Sequence, residues 1–340
     1  MSGRLSVLIT TVVVTAAAVA QAANHETAIV TSSNTVNNQL LVYDTAGTLV
    51  ESVPTLGQGG VENNAGGVAA GNGLVAVVNH GSQTVSVFSR GENGFELRQL
   101  LAVASQPVSV AFGRDHLYVL GTTTVESHRL GFDGIDTIAD GVVPLIAADG
   151  SAAQVGVAGD RLIVTEKSGT IEVVQLEGGT AVGSPVSVAL PEDSRDTPFG
   201  LVTRGGNAYV TIAHSDLIAL VKNASLIALT ATGTPGGQGQ HSPCWIAVVG
   251  PYLYSSNSPS RSISRLVAGG NNIVLDLPVA AQTVGAPVDI AAVSGLLAVV
   301  ESNPDGMSHL TQFRIDEDGN LVPTTSTAIA SAANGVAIVP

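Results

Sequence analysis

The chain contains very little cysteine and few aromatic side chains. Of its 340 residues one is Cys, one is Trp and two are Met, and aromatic residues make up 4%. A single cysteine, Cys244, excludes an internal disulfide bond, and the chain has no CxxC or HExxH spacing typical of thiol or zinc sites. GxSxG and GK(S/T) motifs are also absent, so neither a nucleophile elbow nor a phosphate loop is indicated. Stability must therefore come from burial, and we expect Cys244 and the single Trp, Trp245, to pack inside the fold.

Positive charge is also scarce. The chain has 13 Lys and Arg against 27 Asp and Glu, a net charge of −14, which becomes −15 if an N-terminal leader containing Arg4 is removed. No cluster of Lys or Arg is present to offset repulsion from phosphates. The composition therefore disfavours binding to nucleic acid or to an anionic lipid surface.

The one long apolar run stands at the start of the chain. Arg4 precedes an apolar stretch at 5–20, which ends in Ala20-Gln21-Ala22, the small residues that a signal peptidase reads. A membrane anchor is the alternative, but the run is shorter than the roughly 20 residues that span a bilayer. We therefore expect residues 1–22 to be a signal peptide and residues 23–340 to form a secreted protein, extracellular or, in a Gram-negative source, periplasmic, with no membrane span.

A hairpin pattern recurs along the remaining chain. VVNHGSQTVSVF at 77–88 has an apolar strand, a polar turn and a second alternating strand, and similar hairpins follow throughout. The residues that end the first strand of each hairpin are spaced by 46, 42, 45, 46, 45 and 44: Ser33, Asn79, Gly121, Glu166, Ile212, Asn257 and Glu301. A period of about 45 residues is the size of a propeller blade.

Two further strands complete each repeat. A short apolar strand motif such as QPVSVAFG at 106–113 precedes each hairpin, and an outer strand follows it. The chain starts with a hairpin at 28–44 and ends with the inner-strand motif ANGVAIVP at 333–340, so the last strand should complete the first blade. The sequence therefore predicts an all-β fold, a seven-bladed β-propeller with four antiparallel strands per blade, in preference to a β-sandwich or a β-solenoid.

These motifs carry a family resemblance over nearly the whole chain after residue 22. VVNHGSQTVSVF resembles a YVTN-type repeat, and QPVSVAFGRDHLYVL, LIVTEKSGTIEV and GQGQHSPCWIAVVG resemble segments of secreted lactonase-like seven-bladed propellers. Some members of this group are named 3-carboxymuconate cyclase or 6-phosphogluconolactonase. The resemblance implies the propeller fold and suggests chemistry on a small lactone or muconate.

In a propeller whose inner strand comes first, two sets of loops share one face around the channel mouth. These are the loops that lead into the inner strands and the turns between the second and third strands; we name this face the rim. Most of the candidate acid–base groups of the chain are predicted to lie there: Glu62, Asn63, Asn64, Asn79, His80, Glu166, Lys167, His214, Asp216, His241, Asn257, Arg261 and Glu301.

The chemistry of a lactonase selects among these residues. Its reaction needs a base, or a metal-bound water, to attack the ester carbonyl, and a donor to hold the developing oxyanion. The candidate catalytic bases are His241, His80 and Glu166. A cycloisomerase would need a positioned proton donor or acceptor and cationic groups for substrate carboxylates.

Further rim residues are candidates for binding the substrate. Lys167 and Arg261 could hold an anionic group, and the other candidates are Asn79, Asn257, His214 and Glu301. No organic cofactor is indicated. A divalent metal such as Ca²⁺ is conceivable because Glu62, Glu166 and Glu301 offer oxygen ligands, although polar residues at such positions commonly serve turns.

Two functional hypotheses remain open. The first is a secreted lactonase or cycloisomerase that acts on a small anionic lactone or muconate-type substrate at the channel mouth. The second is a non-enzymatic secreted propeller that binds an extracellular surface, a glycan or a partner protein through the same rim. Seven closed blades need no partner for stability, so we expect a monomer. Asn223-Ala224-Ser225 is a glycosylation sequon if the source is eukaryotic, and DEDGN at 316–320 is expected to be a turn.

Overall fold

The computed structural model describes residues 26–132, 134–233, 239–303 and 306–340. Within these ranges, strands form seven antiparallel sheets with the strands in the order inner to outer; six sheets have four strands, and the outer part of the seventh, in blade 3, is divided between two short strands. The seven-bladed propeller predicted from the repeats is therefore confirmed. The signal peptide predicted for residues 1–22 lies outside the described residues, and no helix among the described residues is long and apolar enough to cross a membrane.

The strands of each blade follow one another along the chain, except that the last strand of the chain belongs to blade 1. Blade 1 contains Ala28–Ser32 (β1), Gln39–Tyr43 (β2) and Leu49–Pro54 (β3), and blade 2 contains Val68–Gly71 (β4), Leu74–Asn79 (β5), Thr84–Gly91 (β6) and Gly94–Ala102 (β7). Blade 3 contains Pro107–Phe112 (β8), His116–Gly121 (β9), Thr124–Gly131 (β10), Gly134–Ile135 (β11) and Gly141–Pro144 (β12). Blade 4 contains Ala152–Ala158 (β13), Arg161–Glu166 (β14), Thr170–Glu177 (β15) and Thr180–Ser187 (β16).

The second half of the ring repeats this order. Blade 5 contains Pro198–Arg204 (β17), Asn207–Ile212 (β18), Leu217–Lys222 (β19) and Ser225–Ala231 (β20). Blade 6 contains Pro243–Val249 (β21), Tyr252–Asn257 (β22), Ser262–Gly269 (β23) and Asn272–Gln282 (β24). Blade 7 contains Ala286–Val293 (β25), Leu296–Ser302 (β26), Ser308–Ile315 (β27) and Leu321–Ile329 (β28), and the chain ends in Asn334–Val339 (β29).

The last strand closes the ring. β29 pairs with β1 in the register Ala28 with Val339 and Val30 with Ala337, so it is the inner strand of blade 1. This is the closure predicted from the complementary chain ends. The unpaired edge that β1 would otherwise present is covered by strand pairing.

Burial follows the position of a strand within its blade. The second and third strands are packed on both faces, so β5, LVAVVN, is buried from Val75 onwards, and β9 is buried throughout. The outer strands alternate, and β28 shows exposed and half-buried side chains between its buried ends. Strands in the middle of a blade are buried on two faces and therefore carry apolar runs. Strands at the outer edge are buried on one face and therefore alternate.

Blade 3 departs from the regular pattern. Its outer part is divided between β11, which pairs with the end of β10, and β12, which pairs with the start of β10. The sequence predicted one outer strand here. The acidic residue Asp140, just before β12, accepts hydrogen bonds from Ser127 Oγ at 2.7 Å and Thr180 Oγ1 at 2.9 Å, and this fixes the loop between the two short strands.

The core lies between neighbouring blades. Trp245 packs edge-on against Phe199 of the adjacent blade, with ring centroids 5.3 Å apart, as expected for a buried indole. Cys244 is half-buried rather than fully buried, and desolvation raises the pKa of its thiol to about 12. DEDGN forms the turn between β27 and β28, where Asp316 Oδ1 accepts hydrogen bonds from the backbone N–H groups of Asp318 and Asn320.

Candidate active site

The asparagines that end β5 and β22 are buried and hydrogen-bonded inside their own blades. Asn79 Nδ2 donates to Thr84 Oγ1 and Ser86 Oγ, at 3.2 and 2.8 Å. In blade 6, Asn257 Nδ2 donates to hydroxyls at the same offsets along the chain, those of Ser262 and Ser264. Each Asn therefore ties the second strand to the third. These contacts give both side chains a structural role. Substrate binding by Asn79 and Asn257 stays a prediction.

The glutamates that occupy the corresponding positions in blades 4 and 7 are also buried. Glu166 Oε2 accepts a hydrogen bond from Ser151 Oγ at 2.8 Å, and Glu301 Oε2 accepts one from the Gly285 N–H at 2.6 Å. The other carboxyl oxygen of each is buried without a hydrogen-bond partner. Burial raises the pKa of Glu166 to about 8 and raises the pKa of Glu301. Neither carboxyl group has an exposed atom with which to reach a substrate.

The channel mouth is filled by the chain itself. The connection between blades 1 and 2 extends across the ring at residues 61–67, which we name the crossing segment. Trp245 Nε1 of blade 6 donates to Asn64 O at 3.0 Å, and Asn64 Nδ2 donates to Val108 O of blade 3 at 2.6 Å. The Ala65 N–H donates to Ala153 O of blade 4. Because these blades lie on different sides of the ring, the segment closes the channel at the rim.

Two charged residues hold the crossing segment. Lys167 Nζ donates to Asn63 O at 2.9 Å and to Ala152 O at 3.1 Å, and desolvation lowers the pKa of this amine. Asp289, on the inner strand of blade 7, accepts hydrogen bonds from the N–H groups of Ile290, Gly66 and Val336. Its burial raises the pKa of the carboxyl to about 7. Lys167, predicted to bind substrate, is thus bound to backbone carbonyls.

Beneath the crossing segment the channel contains a cavity of about 370 Å³. Its walls come from the middle and distal parts of the inner strands, and examples are Val110, Phe112, Val155, Leu201, Val248 and Ala292. Gln154 and Asp289 lie among the lining residues, and Gln154 Oε1 accepts a hydrogen bond from the Leu201 N–H. The candidate rim residues do not line this cavity. Access to it from the rim is closed by the crossing segment.

The rim of blades 5 and 6 brings together acid–base groups that lie outside the filled mouth. His241, in the loop leading into β21, places Nδ1 2.8 Å from Asp216 Oδ2. Asp216 ends the turn between β18 and β19, and its Oδ1 accepts a hydrogen bond from the Ser242 N–H at 2.8 Å. The side chain of His241 is 64% exposed. An aspartate that is fixed by a backbone N–H therefore orients an accessible imidazole.

The other imidazole nitrogen of His241 faces a glycine. A Cβ atom at Gly239 would lie 2.9 Å from Cε1 and 3.1 Å from Nε2 of His241. A side chain at residue 239 would therefore collide with the imidazole, and glycine lets the backbone lie close to it. With Nδ1 donating to Asp216, Nε2 is the nitrogen with a free lone pair, which is the arrangement of a general base.

A second histidine–aspartate contact lies on the same turn. His214 Nδ1 lies 3.3 Å from Asp196 Oδ1 and 3.0 Å from Thr197 Oγ1, and its side chain is 62% exposed. His80 is different, because its Nδ1 lies 3.1 Å from the Pro107 carbonyl oxygen on the rim of blades 2 and 3. The three rim histidines therefore do not form one cluster. His214 lies in the turn Ala213–Asp216 and His241 contacts the Asp216 of that turn, whereas His80 lies on another side of the ring.

The backbone is strained around these two histidines. Thr197 and Ser242, which precede the prolines that start β17 and β21, have φ of 61° and 49°. A positive φ is costly for a β-branched residue such as Thr and is disfavoured before proline. Asp216 and Arg261 also have positive φ, 56° and 47°. Positive φ also occurs in other loops of the described chain, for example at Leu56 and at Gln83 in the corresponding turn of blade 2, so it does not by itself mark this site.

The adjacent turn of blade 6 completes the group. The His241 N–H donates to Ser260 Oγ at 2.9 Å, so the turn at residues 258–261 packs against the His241 loop. Arg261 ends this turn with an exposed side chain. Of the predicted substrate-binding residues, Arg261 and His214 are the ones that accompany His241. The predicted calcium ligands do not converge, since no group of three or more His, Cys, Asp or Glu in the described ranges could hold a metal.

Comparison with solved structures identifies the fold. A functionally unknown protein from Desulfotomaculum acetoxidans has a TM-score of 0.69 at 12% identity, covering 92% of this chain and 99% of its own. A candidate 6-phosphogluconolactonase from Bacteroides fragilis has a TM-score of 0.66 at 15% identity, covering 94% and 100%. The periplasmic gluconolactonase of Pseudomonas aeruginosa has a TM-score of 0.64 at 14% identity, covering 93% and 99%. These likenesses show the β-propeller fold. No protein-family model and no curated protein sequence matches the chain.

Proposed function

We propose that this propeller is a secreted hydrolase that opens a small lactone ring, with His241 as the general base. The observation that carries this proposal is the contact of 2.8 Å between Asp216 Oδ2 and Nδ1 of His241, whose side chain is exposed. The solved structures named gluconolactonase and 6-phosphogluconolactonase support lactone chemistry on this fold. The periplasmic location stated for one of them agrees with the secretory leader expected at residues 1–22.

The geometry supports a simple sequence of proton transfers. His241 Nε2 takes a proton from water as the water oxygen attacks the lactone carbonyl carbon, and Asp216 stabilises the imidazolium that forms. The exposed guanidinium of Arg261 is the group we assign to the developing oxyanion. When the ring C–O bond breaks, the imidazolium returns its proton to the leaving alkoxide, and the product is a hydroxy acid.

The test is hydrolysis of a panel of γ- and δ-lactones by the purified protein, with spontaneous hydrolysis subtracted and with and without chelator. Replacing a general base typically costs 10²–10⁴-fold in rate, so His241→Gln should lower kcat by at least about 100-fold. Asp216→Asn should also lower kcat while KM changes little, since it disturbs the imidazole rather than substrate contacts.

His309→Gln is the matched control, because His309 lies on β27 of blade 7 and contacts Ser326 Oγ. It should retain wild-type turnover. Melting temperatures of all variants show whether they remain folded. If no lactone is turned over by a protein with an intact melting transition, lactone hydrolysis is rejected.

A non-enzymatic binding propeller is the second candidate function, and the filled channel mouth favours it. The crossing segment closes the central channel on that face, and a closed face suits contact with an extracellular surface, glycan or partner protein. This alternative would be supported if the wild-type protein turns over no lactone and if His241→Gln still binds such a surface, glycan or protein.

A further inference from the structure

The rim around His241 is acidic. Asp216 is 38% exposed and Asp196, on the other side of the same turn, is 69% exposed. Glu192 and Asp193 lie in the short 3₁₀ turn Glu192–Ser194 that leads to Asp196, and both are exposed. These carboxylates add to the net charge of −14 of the chain. An anionic ligand that approaches this rim is therefore repelled by the negative charge of these carboxylates.

The nearby cations are mostly engaged. Lys167 donates to the backbone oxygens of Asn63 and Ala152. Arg195 Nη2 lies 3.7 Å from Glu192 Oε1, which offsets its charge. In the described parts of the rim loops of blades 4 to 6, this leaves Arg261 as the exposed cation outside an ion pair, and the proposed reaction uses Arg261 at the oxyanion.

We propose that the site hydrolyses neutral lactones and discriminates against phosphorylated lactones. This inference rests on the proposed lactonase function and specifies its substrate class. Phosphate recognition normally uses paired Arg or Lys donors or a ring of backbone N–H groups, and the described rim loops offer one free guanidinium beside several carboxylates. From the sequence, Lys167 and Arg261 were both candidates for holding an anionic group. In the structure the amine of Lys167 is bound to backbone carbonyl groups, which leaves Arg261.

The experiment compares kcat/KM for D-glucono-δ-lactone and for its 6-phosphate with the purified full chain. We expect the neutral lactone to be preferred by at least about 10-fold at 0.01 M salt. The ratio should fall at 1 M salt, because the Debye length shrinks from about 30 Å to about 3 Å and the carboxylates are screened.

A double variant, Glu192→Gln with Asp193→Asn, separates rim charge from catalysis. It removes two exposed carboxylates and frees Arg195, so kcat/KM for the phosphorylated lactone should rise at least threefold while the neutral lactone stays within twofold. Glu92→Gln is the matched control, since Glu92 is exposed on the β6–β7 turn, away from the rim. It should leave the ratio unchanged.

The outcomes distinguish the two proposals. A wild-type preference for the phosphorylated lactone, or a ratio that responds neither to salt nor to the double variant, overturns the discrimination and leaves lactone hydrolysis standing. Absence of turnover with both lactones overturns the proposed function itself, and the inference with it.

Discussion

At the residue scale, the candidate site residues divide by burial. Glu166 and His241 were both predicted to be catalytic bases from their positions on the rim. Glu166 is fully buried with one carboxyl oxygen unpartnered, whereas His241 is exposed and oriented by Asp216. Because folding raises the pKa of a buried carboxyl group, the free energy of unfolding depends on the pH at which that group is protonated.

This gives a prediction for pH dependence. The pKa of Glu166 is raised from 4.5 to about 8, so its protonated form contributes stability that is fully present below pH 4.5 and is lost as pH rises through 8. Glu166→Gln imitates the neutral acid and should be more stable than wild type at pH 9, by about 2–4 kcal/mol, with a smaller difference at pH 5. Melting temperatures at both pH values measure this. The exposed control Glu92→Gln should change the melting temperature by the same amount at pH 5 and at pH 9. If the stability difference between Glu166→Gln and wild type does not grow from pH 5 to pH 9, the prediction is contradicted.

At the element scale, the crossing segment decides how the rim is used. It is a loop without regular secondary structure, yet Asn64 and Ala65 are buried because backbone and side-chain bonds join the segment to several blades. Loops normally remain at the surface unless their polar groups are satisfied. Here the indole of Trp245 and the amine of Lys167 supply the donors.

Removing one donor should loosen the segment. Trp245→Phe keeps an aromatic ring against Phe199 but leaves Asn64 O without its partner, which should cost about 1–3 kcal/mol of stability. Hydrogen exchange should accelerate at the Ala65 N–H, which donates to Ala153 O. Exchange in the blade 2 hairpin at 74–88 is the internal reference and should not change. Unaltered exchange at Ala65 would show that the indole does not hold the segment.

At the scale of the whole molecule, stability depends on closure of the ring. β29 supplies the inner strand of blade 1, with Val336, Ala337 and Ile338 buried. Without it, β1 has an open edge, and the face of blade 7 against which β29 packs is exposed. Closure therefore joins the two ends of the chain in one cooperative unit.

Truncation tests this directly. Removal of residues 334–340 takes away the buried side chains of Val336 and Ile338, each worth about 1.5–3 kcal/mol, together with the smaller one of Ala337. The melting temperature should fall by at least about 10 °C, with association visible by size-exclusion chromatography. Removal of Pro340 alone is the control and should have little effect. A truncated chain that melts cooperatively near the wild-type temperature would contradict this account of closure.

The repeat pattern in the sequence was sufficient to predict the blades. Apolar runs and alternation are local properties, so the ends of β5, β14 and β22 at Asn79, Glu166 and Asn257 could be placed to the residue. Ring closure followed from the incomplete repeats at the two ends of the chain. The split outer part of blade 3 could not be predicted, because it depends on contacts of Asp140 with Ser127 and Thr180 rather than on a local pattern.

The sequence by itself determined the fold and the face on which the polar residues lie, because strand periodicity and repeat length do not depend on distant contacts. Only the tertiary structure decided which of those residues are accessible. Asp216 and His241 are 25 residues apart along the chain and meet because the loops of adjacent blades converge. Lys167 is bound to Asn63 O of the crossing segment, and Glu166 is buried with Ser151 as its hydrogen-bond donor. Such contacts between distant loops leave no periodic trace in the sequence.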